Sequence, residues 1–171
     1  MLIEDFNNTI DTWIMELEHY SLEKLLTKPD SGSWSLGQVF MHMIAETRYY
    51  EVQIESCLAR GEDATEEMID RAKVMFLRNE FPNERIKGDP HIAEQVQQPL
   101  NTSQVLREMQ ELKLRMNVLW EETINQGSTG KAKHPGLGYF SAREWIQYAE
   151  MHLRHHFRQK ERIVDELNKE K

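Results

Sequence analysis

Three histidines fall within five positions of the segment EMHLRHHFRQKER, at 152, 155 and 156. Imidazole is the one side chain that both titrates near neutral pH and, in its neutral form, ligates divalent metals, so the first question is whether these residues can converge. Residues four apart on a helix lie one above the other, so His152 and His156 could chelate a single ion. The competing reading is a pair of satisfied histidines, because an inward imidazole needs only a hydrogen-bond partner, without which it costs on the order of 1–3 kcal/mol. His155 lies off that line and reads as exposed. Two ligands do not make a site, and a third must come from another helix. His42 is the best candidate, since it shares a helix face with Val39, Tyr49 and, at the edge, Met43, all read as inward; a packed histidine is the alternative there too. His19 at the end of the first helix, and His91 and His134 in loops, read as exposed.

Other chemistries are poorly served. Only Glu16 and His19 have the Glu-x-x-His spacing that di-iron carboxylate bundles use twice. The single cysteine, Cys57, excludes a CxxC thiolate site and reads as a small packing residue. No Gly-rich phosphate loop, GxSxG elbow or HExxH motif occurs, so serine-type and cysteine-type hydrolases are unsupported.

The elements that must position these histidines follow from periodicity. On the last helix Trp145, Ala149, His152, His156, Gln159 and Ile163 form a seam of four- and three-residue steps, starting at a Ser141/Glu144 capping box and running to about residue 168. A first helix, residues 2–19, aligns Phe6, Ile10, Trp13, Ile14 and Leu17. A short stretch, SLEKLLTKP, is stopped by Pro29. The second main helix spans about 36–60, opened by a Ser35/Gln38 capping box and closed by Gly61. A further helix is expected within EDATEEMIDRAKVMFLRNEF. The connection PNERIKGDPHIAEQVQQPLNT then follows, broken by Pro82, Gly88, Pro90 and Pro99, and connections of that length are often functional. A third main helix, 103–125, carries the stripe Val105, Leu106, Met109, Leu112, Met116, Leu119 and Trp120. NQGSTGKAKHPGLGYF reads as a loop or short hairpin at the mouth of the bundle. With no strand alternation of any length, the expectation is an all-α four-helix bundle, one domain over residues 1–171, with a long crossover between the second and third main helices.

The charge balance, 21 basic against 29 acidic residues for a net −8, repels phosphate backbones and anionic membranes, so no nucleic acid and no membrane partner is expected. The basic residues of the last helix alternate with acids, as on a solvated face. The acidic start MLIEDFNNTIDTW lacks a leader pattern, no apolar run approaches a membrane span, and the lone cysteine suits a reducing compartment, which together point to the cytoplasm.

Two stretches carry a resemblance. WSLGQVFMHMIAE, residues 34–46, resembles the Trp-Ser-x-x-Glu/Gln-x-x-x-His signature of helix two in the DinB/YfiT-like superfamily, and MHLRHHFRQKERI resembles that superfamily's last helix. The order of elements agrees along the whole chain. The resemblance implies an up-down-down-up bundle holding one metal on three histidines, which map onto His42, His152 and His156. Three imidazoles leave a coordination position open, as in catalytic zinc sites; zinc or nickel suits such donors. It further implies a metal-dependent enzyme acting on a small molecule, a thiol-dependent transferase or a hydrolase, with a low-molecular-weight thiol as cosubstrate of the former, and a homodimer. Glu46, one turn beyond His42, is the weak catalytic candidate, able to orient a ligand or act as a base, with an idle glutamate the alternative. Gln159 and Glu150 could support ligands; Arg48, Tyr49 and Tyr139 could line the entrance. The competing readings are a noncatalytic metal-binding or stress-response bundle, favoured if Glu46 closed the metal's shell, and a plain bundle without metal.

Overall fold

The computed structural model describes residues 1–30, 32–59, 63–82, 95–127 and 129–169. Helices α1 (Leu2–Leu17), α2 (Leu22–Leu26), α3 (Leu36–Ala59), α4 (Asp70–Arg78), α5 (Thr102–Gln126) and α6 (Ala142–Lys169) are joined by one hairpin, β1 (Lys131–His134) and β2 (Gly138–Ser141), between α5 and α6. The protein is an all-α helical bundle built on the four long helices.

Pairs of touching side chains give the direction of each. Thr9 meets Glu150, and Trp13 Nε1 donates to the Leu153 carbonyl, so α1 and α6 run parallel. Asn7 pairs with Asn117 and Asp11 with Lys113, which sets α5 antiparallel to α1. Arg48 pairs with Glu108, and Arg115 with Glu55, so α3 runs with α5. Tyr50 faces Tyr148 while His42 faces His152 and His156, which sets α3 against α6. The result is the up-down-down-up order, and two consecutive parallel helices require the chain to travel back along the bundle between α3 and α5.

The predicted stripes face inward. Phe6, Ile10, Trp13 and Leu17 of α1 and Val105, Met109, Leu112, Met116, Leu119 and Trp120 of α5 are buried, while Ile14 and Leu106 pack at the margin. Both capping boxes form: Gln38 N–H donates to Ser35 Oγ and Ser35 N–H to Gln38 Oε1, and the same reciprocal pair links Ser141 and Glu144. Ser35 and Gln38 also bind Gln98 and the Val96 carbonyl, so the returning crossover is fastened to the start of α3. The approach is close enough to require glycine at 37, where a Cβ would lie 2.7 Å from Pro99 Cδ and 2.9 Å from the Leu25 carbonyl oxygen.

The helix expected in residues 62–81 is shorter, Asp70–Arg78. Residues 67–69 are drawn instead to the hairpin: Tyr139 N–H donates to the Glu67 carbonyl and Ile69 N–H to that of Leu137. Gly138 permits it, with φ +88° and a hypothetical Cβ 2.6 Å from Glu67 O. Gly61, Gly88, Pro90 and His91 lie outside the described residues. No helix among the described residues is long and apolar enough to cross a membrane.

Candidate metal centre

His42 reaches the site from α3 and His152 and His156 from α6, the two helices facing each other across the bundle seam. One nitrogen from each imidazole lies within 4.8 Å of the other two. This is the one group of three or more His, Cys, Asp or Glu donors so arranged among the described residues. His152 and His156 are buried and His42 partly exposed, so the group is reached from the His42 side.

Hydrogen bonding fixes which nitrogens are available. His156 Nδ1 lies 2.7 Å from Gln159 Oε1, an acceptor, so Nδ1 carries the proton and Nε2 presents its lone pair. That Nε2 is 3.0 Å from His152 Nε2, while His152 Nδ1 is buried without a hydrogen-bond partner. Either His152 donates through Nε2 and leaves a bare, desolvated Nδ1, or two lone pairs face each other. A cation shared by both Nε2 atoms relieves the second arrangement, so the donor set fits a metal held on nitrogen.

The electrostatics agree with that chemistry. Burial pushes His42 down to about 4 and His156 to about 3, and burial together with the neighbouring imidazoles holds His152 well below the usual histidine range. At neutral pH all three are uncharged and able to ligate. Glu46, Cys57 and every other described carboxylate stand outside the group.

The other predicted residues divide. Gln159 supports His156 as described. Glu150 does not support a ligand: it is buried between α1 and α6, accepting from Thr9 Oγ1 and from two Arg154 nitrogens at 2.8 Å, because a buried carboxylate needs a paired cation. Arg48 is turned to α5, paired with Glu108 and Glu111, and lines no entrance. Tyr49, expected on the inward face, is exposed; Tyr50, one residue on, is the buried ring. Tyr139 belongs to the hairpin, its ring beneath Lys133. Glu46 accepts a hydrogen bond from Tyr50 OH at 3.0 Å.

Two histidines read as exposed are not. His155 is half-buried against Phe81, with Arg158 Nη2 3.1 Å from its Nδ1, although it stays outside the ligand group. His134 ends β1 with its ring 5.5 Å from Trp145 and 4.9 Å from Tyr148, because the hairpin folds back over the start of α6. His19 is exposed, and Glu16 binds Tyr20 and Lys160 instead of a metal. Cys57 is buried, its thiol donating to the Phe140 carbonyl, and burial raises it to about 11.

Two rings of the site were not anticipated. Trp34 stands 5.0 Å from His42, centroid to centroid, and its place just before the Ser35 cap is a signal that was available. Phe81, 6.1 Å from His152 and 5.0 Å from Tyr148, follows α4 in a segment with no periodicity to reveal it.

No curated protein and no solved structure is significantly similar to the chain. The family model of the DinB superfamily matches residues 6–159, a span that takes in all three histidines, Gln159 and nine-tenths of the sequence. On that match, and with the helical bundle and its histidine group in agreement, the chain belongs to the DinB superfamily.

Proposed function

We propose that the protein is a metal-dependent enzyme acting on a small molecule, a transferase using a low-molecular-weight thiol or a hydrolase, with His42, His152 and His156 holding a divalent ion. The observation that carries this reading is the convergence of three neutral imidazole nitrogens within 4.8 Å, reached from one partly exposed side. Zinc or nickel suits the set, since nitrogen donors favour late first-row ions. Such an ion supplies Lewis acidity to the reacting group of the substrate.

The chain's own part is to hold the donors and shape the approach. Gln159 keeps the His156 proton on Nδ1, which turns Nε2 toward the centre. Trp34 beside His42 and Phe81 beside His152 supply apolar walls. No described carboxylate or thiol adds a fourth donor, which supports an open set and not a closed structural shell. The Glu46 closure that would have favoured a noncatalytic bundle is not supported, because Glu46 stands outside the nitrogen group. A net charge of −8 favours a small-molecule substrate over nucleic acid.

Metal content of protein purified without chelators tests the reading. One equivalent per chain is expected, falling by about tenfold or more in His42→Ala, His152→Ala and His156→Ala. Wild-type protein without bound metal, or variants that retain it, would sink the proposal. Removal of the metal should leave the helical circular dichroism intact, since the apolar stripes suffice for a core; collapse of the helices would assign the ion a structural role instead.

A further inference from the structure

Glu46 is a carboxylate in an unusual setting. It lies one helical turn beyond His42, partly exposed, outside the nitrogen group. Its Oε2 accepts from Tyr50 OH, and no described lysine or arginine pairs with it. Around it stand rings from three elements. Tyr49 and Tyr50 of α3 are 6.0 Å apart, Tyr50 and Tyr148 of α6 are 5.3 Å apart, and Tyr148 is 4.9 Å from His134 of the hairpin. His134 is held below its ordinary value, chiefly by burial, so no cation competes from that side. The phenols of Tyr49 and Tyr148 are raised by burial and then by the Glu46 charge, which marks the carboxylate as their common neighbour.

We propose that Glu46 and these rings form a subsite for an ammonium group, so that the small-molecule ligand of the histidine centre carries a protonated amine. A carboxylate with unused lone pairs offers a charge-assisted hydrogen bond, and the exposed ring of Tyr49 beside it adds attraction through its negative face. A neutral hydroxyl gains only an ordinary hydrogen bond there, and an anion is repelled. The proposal rests on the reading that ligands reach the His42 side of the centre, and it assigns His134, on the hairpin, a place in the wall of that approach.

The test uses the full chain with its native metal, titrated by calorimetry with benzylammonium, benzyl alcohol and benzoate at neutral pH. Benzylammonium is expected to bind about tenfold more tightly than benzyl alcohol, with benzoate weakest in the metal-stripped protein, where no ion can take its carboxylate. Glu46→Gln, which keeps the size and the Tyr50 contact, should abolish that preference with metal content unchanged. Tyr49→Leu, at an exposed position that leaves the core intact, should weaken the ammonium about threefold and the alcohol not at all. The preference should persist in metal-stripped protein, because the subsite does not use the ion. The inference is overturned if the ammonium and alcohol bind alike, if Glu46→Gln keeps the preference, if stripping the metal removes it, or if Glu46→Gln loses metal and so proves to be a ligand. Wild-type protein that selects the ammonium yet holds no metal would overturn the metal reading and leave the subsite standing.

Discussion

Burying neutral imidazoles makes the metal-free protein acid-sensitive in a way that can be isolated. Both His42, pushed to about 4, and His156, pushed to about 3, are depressed from 6.5 by desolvation. In the unfolded chain each takes up a proton as the pH falls through 6.5, whereas in the folded protein neither does until far lower. The unfolded state therefore binds more protons between pH 6.5 and 4, and stability falls as the pH drops through that window. Between pH 7 and pH 5 each histidine costs about 2 kcal/mol, and the pair about 4 kcal/mol, a large share of the ~5–15 kcal/mol by which a domain is stable. The assay is urea unfolding in chelator at both pH values, for wild type and for a His42→Gln/His156→Gln double variant. Comparing the two proteins removes the titrations that do not depend on these two rings, including that of Glu51, which runs in the opposite direction. The variant should lose about 4 kcal/mol less than wild type over the interval. A difference under about 1 kcal/mol would refute the claim that these two imidazoles are desolvated and neutral in the folded state.

Two further perturbations test the frame that carries the site. Burial pushes Glu51 up to about 7 despite Arg115 and Arg48 nearby, and its Oε1 has no hydrogen-bond partner. A raised carboxyl stabilises the fold at low pH and loses that contribution as the pH climbs through 7, so Glu51→Gln should be about 2 kcal/mol more stable than wild type at pH 8 relative to pH 5.5 in urea melts; equal pH dependence would contradict it. Gly37→Ala should lower stability by about 1–3 kcal/mol, since its Cβ would press on Pro99 and on the Leu25 backbone, and an unchanged urea midpoint would show that the crossover gives way freely.

The four long helices, both capping boxes and the His152/His156 pair were legible because each is local in sequence, whereas His42 was joined to that pair by the resemblance to the DinB/YfiT-like superfamily. A stripe at 3.6-residue spacing names the buried face of α1 or α5 without knowledge of the partner, and a serine followed three residues later by Gln or Glu marks a helix start. Partner identity was not legible. Glu150 lies near the seam that carries His152, yet Thr9 of α1 and Arg154 claim it; Arg48 neighbours Tyr49, yet Glu108 of α5 takes it. These outcomes depend on which helix lies alongside, information that one helix's pattern does not contain. The Tyr49 and Tyr50 exchange has a related cause: neighbouring residues sit ~100° apart on a helix, and an apolar face that broad admits either at its border until the facing helix decides. His134 escaped because its strand belongs to a two-stranded hairpin too short for alternation to show, and its burial comes from Trp145 and Tyr148 of α6.

The caps fix where along its own helix each histidine of the group stands. Ser35 fixes where α3 begins, which places His42 seven residues, about 10 Å, along its axis; Ser141 fixes α6, which places His152 and His156 eleven and fifteen residues along, about 17–22 Å. Because the helices are antiparallel, these offsets are measured from opposite ends, and only one longitudinal register lets the three rings meet. That register is not written in either helix. It is set where Tyr50 of α3 packs on Trp145 and Tyr148 of α6 and where the Cys57 thiol reaches Phe140 of β2, while the crossover contacts at Ser35, Gln38 and Gly37 hold the start of α3 in place. The histidine group is therefore positioned in part by contacts a turn or more along the helices from any imidazole. A change confined to those fastenings should alter how the three nitrogens meet while leaving every histidine in place.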